Sequence, residues 1–202
     1  MRNHNKLTSV FYPPPPAREN LIFEFTKDKD LLAQYYQIRE QEFKLVYGVN
    51  YYNGEETDFD RKGEILIARK ENQCVGGLRL FVPQNSTEKL PLEINNFCLK
   101  EYFPELKKEI VYGQTSFLTL LPEFRGGFVT NKLFYHLREK VINLKIDIIF
   151  SIAPISNARL YRQHALKMGF KNIKIHRNID LPDYPMYEDI KLYLISLKIK
   201  SF

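Results

Sequence analysis

Hydrophobic and polar positions change period several times along this chain, and each change marks an element. Leu21, Phe23 and Phe25 are spaced two apart, which predicts a short strand. Asp28 or Asp30 can cap a helix over residues 29–47, where Leu31, Leu32, Tyr35, Ile38, Phe43 and Val46 recur at helical spacing. Residues 48–63 turn polar and aromatic around Asn53-Gly54 and read as a long loop. Two β-rich runs, 64–69 and 75–82, flank a turn-prone stretch and predict a hairpin, with Gly76 and Gly77 marking a bulge or a close backbone approach.

Farther on, 91–103 reads as a helix, 110–121 as a strand and 130–143 as a helix with Leu133, Phe134, Leu137 and Val141 on one face. The nearly continuous apolar run 146–153 suits a strand covered on both faces. A helix over 157–168 stops at Gly169, and strands near 171–179 and 188–199 complete the chain. The order β-α-β-β-α-β-α-β-α-β-β predicts an α/β (α+β) fold on one mixed sheet. Residues 1–18 are polar and end in Pro13 to Pro16, which favours an extended arm, 1–18, outside a single domain, 19–202.

With 202 residues, 44% of them hydrophobic, the chain can bury a substantial core. A net charge of +6 favours anionic partners without naming one. Cys74 and Cys98 are the only cysteines and stand in no metal-ligand spacing, so neither a disulfide scaffold nor a metal site is expected. No apolar run is long enough to span a membrane, and 1–18 has no signal-like stretch, so a soluble cytoplasmic protein is expected. The four histidines are scattered, and no nucleic-acid motif accompanies the positive charge.

The segment from Ser116 to Gly127 carries the most chemistry. A strand here feeds a glycine-bearing turn into a helix start, which gathers free backbone N–H groups and a positive dipole end at one point. Such a point suits a pyrophosphate, although an ordinary strand-to-helix turn has the same form. Pro122-Glu123-Phe124-Arg125-Gly126-Gly127, followed later by Asn157-Ala158-Arg159-Leu160-Tyr161 and Met168-Gly169-Phe170, resembles the two signatures of the GNAT acyltransferase superfamily. The resemblance implies a mixed, mostly antiparallel sheet of about seven strands flanked by helices. It also implies that Leu118, Thr119, Leu120, Arg125, Gly126, Gly127, Phe128, Val129, Thr130 and Asn157 hold the pantetheine and diphosphate of a thioester donor. Ala165 stands where common acetyltransferases place a tyrosine acid, and Tyr161, one turn earlier, is the candidate to replace it.

The front half is similar to the acyl-homoserine-lactone synthases and the related N-acyl amino acid synthases. The landmarks are Arg39 with Phe43, the acidic run Glu56 to Asp60, Gly77-Leu78-Arg79-Leu80-Phe81, and Phe103-Pro104-Glu105-Leu106. This implies transfer of an acyl group from acyl carrier protein or acyl-CoA to a small-molecule amine, S-adenosylmethionine or an amino acid, with Arg39, Phe43, Arg79 and Ser116 binding the substrate. The synthases' strand glutamate falls on Gln114 and their arginine on Phe117. Gln cannot accept the amine proton as a base, so that task passes to Glu56, Asp58, Asp60 or a water relay, with Asp58 and Asp60 first. A structural Arg–Asp network is the plainer reading of Arg39, Arg79 and the acidic run. Arg159, Arg162, Lys167, Lys171 and Lys174 form either a patch for the donor or a solvated basic face. Two further readings are a GNAT acetyltransferase using acetyl-CoA and, given Gln114 and Ala165, an inactive acyl-CoA-binding module of the same fold.

Overall fold

The computed structural model describes residues 20–107, 109–187 and 190–199, so the proline-rich arm lies outside the described residues. Seven strands form one sheet: β1 (Leu21–Thr26), β2 (Glu64–Lys70), β3 (Gln73–Phe81), β4 (Tyr112–Leu120), β5 (Ile148–Pro154), β6 (Asn172–His176) and β7 (Leu192–Lys198), in the spatial order β1-β2-β3-β4-β5-β7-β6. Every neighbouring pair is antiparallel except β4 and β5. The sheet is therefore mixed and mostly antiparallel, as the sequence pattern and the resemblance imply.

The helices are α1 (Lys29–Tyr47), α2 (Asp58–Lys62), α3 (Leu99–Tyr102), α4 (Gly127–Asn143) and α5 (Ile155–Lys167). Asp28 caps α1 by accepting from the N–H groups of Asp30 and Leu31, and Gly48 ends the helix in the left-handed region at φ 70°. One face of the sheet packs α4, through Val129, Leu133, Leu137 and Val141, and α5, through Ala158 and Ala165. The other face carries α1 through Tyr35 and Ile38, and then the 90–106 segment against Phe81, Ile148 and Phe150. No helix among the described residues is long and apolar enough to cross a membrane.

Two sequence expectations change. Residues 48–63 are not all loop, because Thr57 and Asp60 form a reciprocal capping box that starts α2. The helix expected over 91–103 shrinks to α3. Asn95 and Asn96 take positive φ (50° and 66°), and the buried Glu93 carboxylate accepts from the N–H groups of Leu90 and Leu99, so the backbone folds around that side chain instead of coiling.

Candidate active site

β4 pairs with β5 only from Tyr112 opposite Ile148 to Gln114 opposite Phe150. Beyond Gln114, β4 continues along β3 and β5 continues along β7, so the two central strands part and leave a crevice. A bulge sharpens the parting. Between Gly77–Arg79 of β3 and Ser116–Thr119 of β4 the register slips by one residue, and Phe117 takes φ 56°. β3 lies so close here that a Cβ on Gly76 (φ +145°) would sit 2.3 Å from the Thr119 carbonyl oxygen. Glycine is thus required at position 76.

Below this point, on the α4 and α5 side, the crevice opens into an almost wholly apolar cavity whose upper walls include Ser116, Leu118, Phe134 and Tyr161. After β4 the chain turns through Pro122–Phe124, and α4 begins after Gly126, which lies at φ 126° and supplies no side-chain cap. The first N–H groups of a helix have no intrahelical partners, so this uncapped start presents donors and a positive dipole end. Gly127 leaves room there, since an added Cβ would meet only Asn131 at 3.7 Å. Phe128 is exposed, whereas Val129 and Thr130 are buried in the helix's packing face. The Arg125 guanidinium pairs with Glu42 and donates to the Leu120 carbonyl at 3.3 Å, which ties α1 to the turn. Asn157, at the start of α5, donates to the Tyr47 hydroxyl at 3.2 Å.

On the opposite face, the bulge carries a buried electrostatic cluster. Arg39 donates to both carboxylate oxygens of Asp60, at 3.0 and 3.1 Å, and to the carbonyls of Gly54 and Glu55. Arg79 donates to Asp60 at 3.0 Å, to the Thr57 hydroxyl and, through Nε, to Ser116 at 3.1 Å. The Phe117 ring lies between the two guanidiniums, 4.5 Å from one and 4.7 Å from the other, so its π face supplements the single carboxylate. The Tyr35 hydroxyl donates to the Phe117 carbonyl at 2.7 Å and pins the bulge. Burial alone would push the Asp60 carboxyl up, but Arg39 and Arg79 outweigh it and hold the group below the usual carboxylate range.

This cluster is the Arg–Asp network expected from the sequence, and it changes the ranking of the acidic residues. Asp60 is saturated by two cations and the Thr57 cap, which leaves it no capacity to take a proton from an amine. Asp58 pairs with Arg61 and its side chain is 80% exposed, away from the cluster. Glu56 accepts from the Tyr36 hydroxyl at 3.3 Å at the cluster's edge and pairs at 3.2 Å with Arg61, which it shares with Asp58. Gln114 is buried, and its Oε1 accepts from the Leu92 N–H at 2.8 Å, so it anchors the 90–92 backbone. Phe43 sits among the rings of Tyr47, Tyr52, Phe117 and Tyr187, which wall the α1 side. Burial pushes the Tyr161 hydroxyl up, so it stays protonated at neutral pH. Phe117, Tyr35 and Tyr187 carry no sequence signal of a site, and only the bulge and the stretch 177–187 bring them in.

No protein-family model matches the sequence, and no curated protein does. Solved structures do match. FeeM, an N-acyl amino acid synthase from uncultured soil microbes, superposes with a TM-score of 0.63 at 9% identity over 89% of this chain and 91% of its own. BjaI, a CoA-dependent acyl-homoserine lactone synthase, gives 0.56 at 18% identity over 85% of this chain and 77% of its own. An acetyltransferase from Streptococcus agalactiae gives 0.55 at 12% identity, over 90% of this chain and 99% of its own.

The chain has the GNAT-like acyltransferase fold. Within that fold the apolar cavity is lined by residues of both parting strands, Thr115, Ser116 and Leu118 of β4 and Ile149 and Ser151 of β5, and α4 starts a few residues beyond the end of β4. The Arg39–Asp60–Arg79 cluster backs the crevice from the other face of the sheet.

Proposed function

We propose that the protein is an N-acyltransferase that moves an acyl group longer than acetyl from a thioester of coenzyme A or acyl carrier protein to the amine of a small metabolite. The observation that carries this reading is the crevice between β4 and β5, which joins backbone donors at its rim to an apolar cavity behind them. BjaI was solved with S-adenosylmethionine and isopentyl-CoA, and its similar fold supports a thioester donor and a small amine acceptor here.

In this reading the α4 start, with Gly126 and Gly127, holds the donor's phosphates, and the free edge of β4 from Leu118 to Leu120 takes the pantetheine arm. The acyl chain descends into the cavity. Backbone N–H groups of that edge receive the negative charge that develops on the thioester carbonyl oxygen as the amine nitrogen attacks. The C–N bond forms, the C–S bond breaks, and Tyr161 gives its proton to the departing thiolate. Glu56, held at the edge of the cluster by Tyr36 and Arg61, takes the amine proton. Arg39, Asp60 and Arg79 are positioning residues, because they fix Phe117 and through it the bulge that parts the strands.

Thiol release from acetyl-CoA and octanoyl-CoA, followed over a panel of amines that includes S-adenosylmethionine and the amino acids, tests the reading. Turnover with at least one amine, faster from octanoyl-CoA than from acetyl-CoA, is expected. Glu56→Gln should slow it by about 100-fold or more, and Asp58→Asn should leave it unchanged. Tight coenzyme A binding without turnover on any amine would instead make the protein a binding module, and faster turnover from acetyl-CoA would make it an acetyltransferase.

A further inference from the structure

The turn that leads into α4 carries a cation that is already engaged. Arg125 stands one residue before Gly126, where the helix start presents its free N–H groups. Its guanidinium donates to the Leu120 carbonyl at 3.3 Å and pairs with Glu42 of α1, which is its ion-pair partner among the described residues. A positive group beside an uncapped helix start is where the phosphate charge of a thioester donor would settle, and a carboxylate of the chain itself sits on that group first.

The carboxylate is held there against its solvation. Its side chain is 18% exposed, whereas Leu45 and Val46, aliphatic residues just beyond it on α1, are 78% and 50% exposed, the reverse of the usual order for charged and apolar groups. Burial pushes the Glu42 carboxyl up, and Arg125 pulls it part of the way back. The neighbouring groups are otherwise occupied or neutral. Lys44 pairs with Glu40, the Tyr47 phenol is kept protonated by burial, and α5 contributes the uncharged Asn157, which donates to that phenol at 3.2 Å. Arg125 is thus what favours the ionised form of Glu42.

Competition for one guanidinium decides what this arrangement does. A guanidinium grips carboxylate and phosphate with the same N–H donors, so the two anions exclude each other at Arg125. A diphosphate brings more charge than Glu42 and also accepts from the free N–H groups after Gly126, so it displaces the single carboxylate. The exchange subtracts the Glu42–Arg125 pairing from the binding energy of the ligand. The same pairing is regained when the ligand leaves.

We propose that Glu42 is a built-in competitor at the donor site, whose carboxylate yields Arg125 to the diphosphate of an incoming thioester and takes it back as the coenzyme A product leaves. The inference rests on the acyl-transfer reading and deepens it: it names the diphosphate as the group Arg125 recognises, and Glu42 as a residue that sets how long the product stays. Glu42 touches neither thioester nor amine and acts through Arg125 as a positioning residue. While Arg125 is on the diphosphate, the half-buried Glu42 carboxylate has lost its counter-ion, so it takes a proton from solvent and gives it back when the pair re-forms. No covalent bond changes in this cycle.

The test is equilibrium binding of dephospho-coenzyme A, which keeps the diphosphate without the separate 3′-phosphate, and of pantetheine, which has neither. Both are titrated into the full chain and into Glu42→Gln between pH 8 and 5. At pH 8 Glu42→Gln should tighten dephospho-coenzyme A about fivefold, the equivalent of about 1 kcal/mol for a partly exposed ion pair, and slow its dissociation by a similar factor. Pantetheine binding should not change. As pH falls the carboxylate protonates and stops competing, so the gap between the two proteins should close. His164, which bonds Asn131 of α4 at 2.6 Å, titrates in both proteins alike and cancels from the difference. In an Arg125→Gln background the Glu42 substitution should have no further effect. Binding of dephospho-coenzyme A that Glu42→Gln weakens or leaves unchanged overturns the competitor and makes the ion pair a strap between α1 and the turn. An equal gain for pantetheine, a gap that persists in acid, or a gain that survives Arg125→Gln overturns it as well. Dephospho-coenzyme A that binds both proteins no tighter than pantetheine would overturn the diphosphate site of the acyl-transfer reading, and the competitor with it.

Discussion

Substituting Asn for Asp60 isolates the most consequential interaction in the fold. Among the described residues Asp60 is the anion paired with both Arg39 and Arg79, and the three residues are 2%, 0% and 2% exposed, so water cannot replace the lost charge. Breaking a buried pair by removing one partner costs about 3–5 kcal/mol, because the remaining charge stays buried without compensation. Here two guanidiniums are stranded. The change also weakens the capping box at the start of α2, since Asp60 accepts from the Thr57 N–H at 2.8 Å. Against a total stability of about 5–15 kcal/mol, the expected loss is a large fraction. With a urea m-value of about 2 kcal/mol/M, the unfolding midpoint should drop by about 1.5–2.5 M at pH 7. The pH dependence follows from the direction of the Asp60 shift. Its carboxyl is held below the usual range in the fold, so its contribution is complete above the unfolded carboxylate value of about 3.9 and is lost as pH falls through the depressed folded value. The gap between the variant and the unmodified protein should therefore be flat from pH 8 to 5 and close in stronger acid. Arg79→Met should cost less than Asp60→Asn, because it leaves Arg39 and Asp60 as a balanced pair. A midpoint drop under about 0.5 M, or a gap that persists unchanged below pH 3, would refute the claim that the carboxylate balances two buried cations.

Three further substitutions separate geometry from chemistry. Gly76→Ala should destabilise by about 3 kcal/mol or more, because its Cβ would meet the Thr119 carbonyl at 2.3 Å and the Leu120 Cα at 2.8 Å, both on neighbouring backbone, from a positive φ; thermal unfolding measures this. Gln114→Leu should cost about 1–3 kcal/mol by leaving the buried Leu92 N–H without an acceptor, while kcat of the folded fraction stays unchanged, in keeping with an anchoring and not a proton-transfer role. Tyr161→Phe should keep donor affinity and lower kcat by about tenfold or more, with the loss smallest for thioesters whose leaving thiol is most acidic, as steady-state rates on a leaving-group series would show.

Much of the architecture was legible because it depends on local pattern. The 3.6-residue recurrence in α1 and α4, the nearly continuous apolar run of β5 and the paired glycines of β3 each carry their own physical reason in a few adjacent residues. The parts that escaped are those fixed by distant partners. Nothing within ten residues of Phe117 says that its backbone is left-handed or that its ring sits between two guanidiniums. Both follow from a one-residue mismatch between β3 and β4 and from a tyrosine 82 positions away. Glu93 undid a helix for the same reason, by binding N–H groups on either side of itself.

The acidic run shows how far composition can mislead about chemistry. Asp58 and Asp60 look alike in sequence, yet one is exposed beside Arg61 and the other is buried between two arginines. The second is the more constrained and therefore the less able to accept a proton, since any protonation would strand the cations it balances. The cost of keeping Asp60 ionised is repaid in shape: the cluster holds Phe117 in an unfavourable backbone region, the bulge lies where β4 leaves β5, and the strands part at the point where the proposed thioester would enter. An arginine network that contributes no proton can in this way shape the crevice in which the proposed reaction would take place.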